Sequence, residues 1–377
     1  MKFLIFIGMM LMVFYPCSES NSDAATSPNT GSRSAKTMQA VGSGPAVSEN
    51  ETILKEGGMS AKTLILTVNG TPVYWPEFHF WLNYIGKYYK NSHGCDKITD
   101  WTVKQNELNL REFFLSTAVG YARKDRAIEA KAKELGIKLS ADDLAGIEER
   151  RNSNIKIYGG ESEYRRIVAS MYVSDEVFKY LTKMDYLGNY MFDYLYGAKG
   201  EKCSDKAVSA YVDKEGYMCA KYIFLSNTDA GGNALGTEKL AEKRNRMEDI
   251  LGRLDASSNP TAVFDGLMKE YGEDTMISNY PDGRLFVSGG MGKEFESAFL
   301  ELKENEYSGI VDTDAGSYII LRMPIFPDMA TDSSGKTLRY WTAYEYLFKN
   351  QVEAWSTKMK IKYEDAYYKI NVERLLE

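Results

Sequence analysis

The sequence predicts an α+β protein in which a smaller domain that contains strands is inserted into a discontinuous and mostly helical domain. Apolar residues recur every three or four positions across residues 110–195 and again across 340–359, as on helices with one buried face. Between these regions, residues 220–225 and 317–320 form short runs of apolar and aromatic residues that are typical of strands.

The chain is long enough for two domain-sized cores, with 377 residues of which 44% are hydrophobic. We expect a helical domain over residues 62–203, an inserted domain over 204–325 and a C-terminal helix within 326–377. That last helix carries an apolar stripe formed by Tyr340, Tyr344, Leu347, Val352, Trp355 and Met359. Because a lone amphipathic helix is not stable in water, we expect it to dock on the first helical region and complete that domain.

Local signals indicate where several elements begin. Residues 63–68 read as a strand that ends at the turn-forming pair Asn69-Gly70, and Pro76 is suited to the first turn of a helix. Three serines precede helix-like segments and can accept a hydrogen bond from an unpaired backbone N–H. They are Ser140, Ser174 and Ser204.

The N-terminus predicts export from the cell. A charged start is followed by the apolar residues 3–15, as in a secretory signal, and this stretch is too short to span a bilayer. Cys17 ends the 1–17 segment, where a lipoprotein would be acylated, while conventional cleavage after Ser20 is the alternative. The polar residues 18–61 then predict a flexible tether.

Charge and composition argue against several classes of function. A formal charge of −7 and an isoelectric point near 5.3 disfavour nucleic-acid binding, which requires a concentrated basic face. We expect no metal and no cofactor, because the only two histidines lie apart and no Cys-x-x-Cys is present. Cys203 and Cys219 form either a disulfide or two buried thiols.

From Cys219 to Arg322 the order and spacing of motifs resemble one parvulin-type peptidyl-prolyl isomerase module. The stretch opens on a strand and passes through Tyr271-Gly272-Glu273-Asp274. It closes with a Met-x-x-x-Phe segment and with Thr313–Ile320. From Thr63 onward, including the ending Ile361–Tyr367, the chain resembles SurA/PrsA-type extracytoplasmic foldases.

This resemblance implies that the inserted domain is a small antiparallel sheet wrapped by helices, and it also implies a set of site residues. The two histidines of the family correspond to Tyr222 and Tyr318 here, with Thr313 at the position of their threonine partner and Asp274 facing the substrate carbonyl. The resemblance also implies a proline pocket lined by four apolar residues. These four are Leu285, Phe286, Met291 and Phe295. The Gly-Gly-Asp-Leu-Gly segment that usually forms one wall of this pocket is replaced here. Phenols can keep a polar network but cannot change charge near neutral pH as imidazoles do.

The resemblance implies an exported foldase that isomerises X–Pro bonds and binds unfolded secreted polypeptides, anchored to the membrane if Cys17 is lipidated. A holdase chaperone that binds without turnover is the first alternative, and a surface solute-binding lipoprotein is the second. The loop from Ser226 to Asn233 has no Lys or Arg, so we expect no preference for phosphorylated substrates. Whether the chain forms a homodimer is left open.

Overall fold

The computed structural model describes residues 58–169, 173–331 and 334–376. Contacts divide these residues into two compact units, one formed by 58–194 with 348–376 and the other by 195–347. The predicted α+β class with a discontinuous helical part is confirmed. The domain limits at 62, 204 and 325 stay predictions. The signal-like segment, Cys17 and nearly all of the expected tether lie outside the described residues.

The first unit begins with an antiparallel hairpin of β1 (Leu64–Val68) and β2 (Thr71–Tyr74). Asn69 and Gly70 both have positive φ, 48° and 81°, as a tight two-residue hairpin turn requires. The turn predicted at this pair is therefore confirmed.

Helices make up most of the first unit. They are α1 (Trp75–Ser92), α2 (Leu110–Glu134), α3 (Ala141–Ile157), α4 (Glu161–Ala169) and α5 (Asp175–Tyr196), with the short hairpin β3 (Lys104–Gln105) and β4 (Leu108–Asn109) before α2. Ser140 and Ser174 cap α3 and α5, each accepting a hydrogen bond from the backbone three residues later. The predicted caps are confirmed, whereas the Asn109–Glu112 capping box of α2 was not anticipated.

Residues from the C-terminal part of the chain complete the first unit. After α10 (Leu338–Trp341) and a π-helical stretch (Thr342–Phe348), α11 (Lys349–Ser356) packs against α2. β9 (Ile361–Tyr363) then pairs antiparallel with β1, so the sheet order is β2-β1-β9. Finally, α12 (Val372–Leu376) packs on α1, where Gly86 leaves room for the Leu376 side chain. The C-terminal part of the chain thus contributes a strand as well as helices to this unit.

The second unit contains a four-stranded antiparallel sheet with the order β6-β5-β8-β7. After α6 (Asp205–Glu215), which Ser204 caps as predicted, its elements follow in chain order. They are β5 (Met218–Ser226), α7 (Thr237–Asp255), α8 (Pro260–Tyr271), a 3-10 helix (Thr275–Asn279), β6 (Arg284–Phe286), α9 (Lys293–Glu301), β7 (Val311–Asp312) and β8 (Gly316–Arg322).

Side chains alternate between the two faces of this sheet. Ile223 and Leu225 of β5 pack with α7 and α8 on one face. Tyr222 lies on the other face, among side chains from the 3-10 helix, β6 and α9. Each face has its own apolar cluster, and the candidate site lies on the α9 face.

In the three described ranges, no helix has both the length and the hydropathy needed to cross a membrane.

His79 is buried within α1 of the first unit, beside the ring of Trp75 at 4.9 Å between centroids. Burial lowers the pKa of this imidazole from its ordinary 6.5 to about 4, because desolvation disfavours the charged form. The other histidine, His93, is exposed at the end of the same helix.

We expect acidification to destabilise the first unit through His79. As the pH falls from 6.5 towards 4, the unfolded chain binds a proton at this position and the folded chain does not. The stability that comes from keeping His79 neutral is therefore lost over that window, at about 1.4 kcal/mol per pH unit. Denaturant unfolding measured across this range should show a smaller pH dependence for His79→Gln. The control His93→Gln should keep the wild-type dependence, and an unchanged slope in His79→Gln would contradict the assignment.

Candidate functional site

Tyr222 lies at the centre of the candidate site. It is on the central strand β5, opposite Ile320 of β8, and only 2% of its surface is exposed. Its hydroxyl donates a hydrogen bond to Asp274 Oδ2 at 2.7 Å and accepts one from Arg284 Nη1 at 3.1 Å. One phenol thus connects a carboxylate and a guanidinium.

Backbone contacts bring Asp274 to this position. The preceding residue, Glu273, donates its N–H to the Phe224 carbonyl at 2.9 Å, and its carboxylate accepts from the Ser226 N–H at 2.8 Å. Asp274 itself caps the 3-10 helix, with Oδ1 accepting from the Met276 N–H at 2.9 Å. One carboxylate oxygen therefore has a structural partner, and the other faces Tyr222. Asp274 can therefore cap this helix and face the site at the same time.

The site keeps Tyr222 as a neutral phenol. Burial, and next the hydrogen bond to Asp274, raise the pKa of Tyr222 well above its ordinary value. Burial also raises the pKa of Tyr318, and the nearby charge of Asp274 adds to the effect. Neither hydroxyl changes its charge near neutral pH, so the polar network has one protonation state under those conditions.

Tyr318 meets Tyr222 through its ring. Their centroids are 5.6 Å apart in an edge-on arrangement, and Tyr318 also contacts Phe224 at 4.6 Å and Phe295 at 5.3 Å. Within the described residues no hydrogen bond joins the two hydroxyls, so these phenols do not reproduce a directly bonded pair. Tyr318 is half-buried and stands at the rim of the aromatic cluster.

Thr313 forms its hydrogen bonds within the turn between β7 and β8. Its hydroxyl donates to the Gly316 carbonyl at 2.8 Å, and the Gly316 N–H lies 3.3 Å from the same hydroxyl. A side chain at Gly316 would collide with the Leu225 carbonyl, so this glycine allows β8 to approach β5 closely. The structure places Thr313 in a supporting turn and brings it to neither tyrosine hydroxyl.

The four predicted pocket residues occupy different positions. Phe295 is 0% exposed and contacts Phe286 and Tyr222 edge-on, so it supports the site from beneath. Met291 is half-buried at the edge of the same cluster and has surface that a ligand can reach. Leu285, next to Phe286 on β6, points to the opposite face of the sheet and is not brought to the site. Replacing Phe295 by Ala is expected to cost about 3–5 kcal/mol, so that variant does not isolate binding.

Glu296 holds the glycine-rich loop that carries Met291. Its carboxylate accepts hydrogen bonds from the Gly289 and Met291 N–H groups, both at 3.0 Å, and from the Ser288 hydroxyl at 3.4 Å. Partial burial alone would raise the pKa of this carboxyl, but the amide hydrogen bonds outweigh it and hold the pKa below its ordinary value. The position of Met291 at the rim depends on this anchor.

Two site residues were not named from the sequence. Arg284 lies two positions before Phe286 on a strand, and strand alternation places both on one face, so its proximity to the site could have been found. Glu296 could not be found in this way, because its contacts with loop amides depend on the loop conformation.

The described residues contain no cluster of His, Cys, Asp and Glu suited to a metal ion. Cys203 and Cys219 are free thiols, which settles the alternative left by the sequence. Burial raises the pKa of Cys219 to about 12, and its thiol donates to the Asp282 carbonyl at 3.7 Å.

Comparison with known proteins places this geometry in context. The chain is 23% identical over 269 residues to the foldase protein PrsA of Clostridium perfringens, covering 69% of this chain and 72% of that protein. The chain is PrsA-like. This similarity agrees with the resemblance inferred from the motifs.

Two further similarities were found, while no family model matches the chain. The Drosophila melanogaster protein dodo, named as a peptidyl-prolyl cis-trans isomerase, is 41% identical over 61 residues, which is 16% of this chain and 37% of dodo. The crystal structure of PrsA from Streptococcus pneumoniae is 14% identical, with 72% of this chain and 97% of that one covered. Its TM-score of 0.30 is too low to support a structural argument.

Removing the Glu296 anchor should loosen the Met291 loop and leave the sheet intact. We expect Glu296→Ala to speed amide hydrogen exchange at Gly289 and Met291, because both N–H groups lose their acceptor. Glu294→Ala, an exposed position in the first turn of the same helix, is the matched control and should leave both amides protected. Equal protection in the two variants would show that the loop does not depend on the carboxylate.

Proposed function

We propose that this chain is an exported foldase that catalyses cis–trans isomerisation of X–Pro peptide bonds and binds unfolded secreted polypeptides. The observation that carries the proposal is the hydrogen-bonded set Asp274–Tyr222–Arg284 beside an aromatic cluster with Met291 and Tyr318 at its rim. The similarity to a protein named foldase PrsA, and the local similarity to one named as a peptidyl-prolyl isomerase, support the same assignment.

The chemistry needs neither a nucleophile nor a metal. Amide resonance sets a rotation barrier of about 18–20 kcal/mol, and it places partial negative charge on the carbonyl oxygen of the planar bond. That charge decreases as the bond twists, because conjugation with the nitrogen is lost. A carboxylate facing the oxygen therefore disfavours the planar form more than the twisted one, and this difference lowers the barrier.

In this proposal each residue has one role. Asp274 faces the substrate carbonyl, and the neutral Tyr222 phenol fixes the orientation of that carboxylate. Met291 and Tyr318 contact the proline ring at the rim, above the fully buried Phe295. Since the phenols keep their protons, activity should be independent of pH near neutrality, unlike that of a site built on imidazoles.

A binding-only holdase is the second candidate, and one observation favours it. Tyr222 is almost completely buried, and both of its hydrogen bonds are made within the protein. A satisfied buried network of this kind is also what a purely structural role requires. The two candidates differ in turnover and not in peptide binding.

The location of the protein is also a proposal. We infer export from the apolar segment 3–15 and membrane anchoring from Cys17. In a bacterial host, labelled palmitate should be incorporated into the wild-type chain and not into Cys17→Ser. If the wild type carries no label and has an N-terminus after Ser20, cleavage by a conventional signal peptidase takes the place of lipidation.

Loss of the Tyr222 hydroxyl should separate catalysis from binding. We expect Tyr222→Phe to lower kcat/KM in a proline-limited refolding assay by about tenfold, equivalent to ~1.4 kcal/mol, because Asp274 loses its orienting donor. Binding of an unfolded client should change little, since ring volume is retained. Tyr307→Phe is the matched control: its hydroxyl also donates to a carboxylate, that of Asp255, at 2.7 Å, but away from the site.

Three results decide between the candidates. Reduced turnover in Tyr222→Phe alone supports isomerase activity at this site. A wild-type chain that suppresses client aggregation without accelerating prolyl isomerisation indicates a holdase. Equal turnover in the wild type and both variants would place catalysis outside the Tyr222 network.

A further inference from the structure

Arg284 lacks the ion pair that other arginines of low exposure form. Arg126, Arg151 and Arg339 have side chains 7%, 14% and 15% exposed, and each lies within 2.7 Å of a carboxylate oxygen. Arg284 is half-buried, yet no carboxylate within the described ranges forms an ion pair with it. Its one hydrogen bond there goes to the neutral Tyr222 hydroxyl.

Asp274 acts on Arg284 through its charge, and within the described ranges the hydrogen bonds that link the two side chains run through the Tyr222 hydroxyl. The carboxylate oxygens of Asp274 accept from the Tyr222 hydroxyl and the Met276 N–H. The guanidinium carries five N–H donors and uses one of them on Tyr222. The remaining donors of this half-buried cation can form charge-assisted hydrogen bonds with an anionic ligand that reaches the site.

Other charged groups around the site do not supply an acceptor to Arg284. Glu296 is engaged with loop amides, and Glu273 pairs with Lys243 at 2.8 Å. Lys221 of β5 points to the other face of the sheet, where it pairs with Asp265 at 2.8 Å. None of these carboxylates is bonded to Arg284, so its remaining donors are available to a bound substrate.

From this geometry we propose that Arg284 is a specificity-determining residue that selects substrates with an acidic side chain immediately before the proline. The inference rests on the proposed isomerase site and names its substrate class. The carbonyl that twists belongs to the residue before proline, and it is proposed to face Asp274. Arg284 is joined to Asp274 through one hydroxyl, so it is placed to bind the side chain of that same residue. A carboxylate there can form a charge-assisted, two-point contact with the guanidinium.

The test compares peptides that differ only in the residue before proline: Ala-Glu-Pro-Phe, Ala-Gln-Pro-Phe and Ala-Lys-Pro-Phe. Isomerisation is followed with the full chain by NMR exchange, and binding by competition against a fluorescent peptide. We expect the wild type to prefer Glu over Gln by about tenfold in kcat/KM, with the preference decreasing at high salt. Equal rates and equal affinities for the three peptides would overturn the proposal without the need for any variant.

Variants at Arg284 test whether this residue causes the preference for Glu before proline. Arg284→Gln should bring Glu and Gln peptides to near parity, Arg284→Glu should favour the Lys peptide, and Arg284→Lys should keep part of the wild-type preference. Arg253→Gln is the control for net charge, because this arginine lies on α7 and contacts Tyr271 on the other face of the sheet. A Glu preference that survives in folded Arg284→Gln contradicts the assignment.

Failure of this inference is distinguishable from failure of the proposed function. Turnover without a Glu preference overturns the role of Arg284 and leaves the isomerase site intact. A Glu preference in binding without turnover supports the role of Arg284 and contradicts catalysis. If no peptide binds, both are overturned.

Discussion

The antiparallel pairing of β5 with β8 is the constraint on which the candidate site depends. Seven residue pairs connect these strands, from Ala220–Arg322 to Ser226–Gly316. This register places Phe224 opposite Tyr318, and therefore Tyr222 diagonally beside it on the same face. A shift by one residue would move Tyr222 to the α7 and α8 face and bring Ile223 to the α9 face in its place. Gly316 helps maintain the register, since any larger side chain would meet the β5 backbone.

Aromatic packing on that face gives the polar groups their properties. The rings of Tyr222, Phe286, Phe295 and Phe299 are almost completely buried, and they exclude water from the Tyr222 hydroxyl. A hydroxyl in such surroundings is costly unless it is hydrogen-bonded, and Tyr222 has both a donor and an acceptor available. The same burial that makes the network necessary also raises the pKa of the phenol. Packing and electrostatics at the site are thus not independent.

The sheets of the two units are assembled from different parts of the chain. The sheet of the second unit is formed by strands from one continuous stretch, residues 218–322. The sheet of the first unit joins β1 to β9, almost 300 residues later, and α11 packs on α2, which ends more than 200 residues before it. Contacts between residues this far apart in sequence carry a larger loop-closure cost than those within the second unit.

The sequence by itself determined the elements and their faces. The apolar run of β5, helical spacing in α2 and α5, the Asn69-Gly70 turn and the serine caps are local signals, and a local signal depends on few other residues. Motif order also sufficed to relate the chain to the foldases and to select Tyr222 and Asp274. Tertiary structure alone decided which partners those residues have. Thr313 bonds within its own turn, Leu285 faces away, and Phe295 is buried, because each outcome depends on loop conformation, on the face of a strand or on the packing of α9. The Tyr222 hydroxyl binds Arg284 as well as Asp274 because β6 pairs with β5 in one register, and pairing between distant segments is not encoded in any single stretch of the chain.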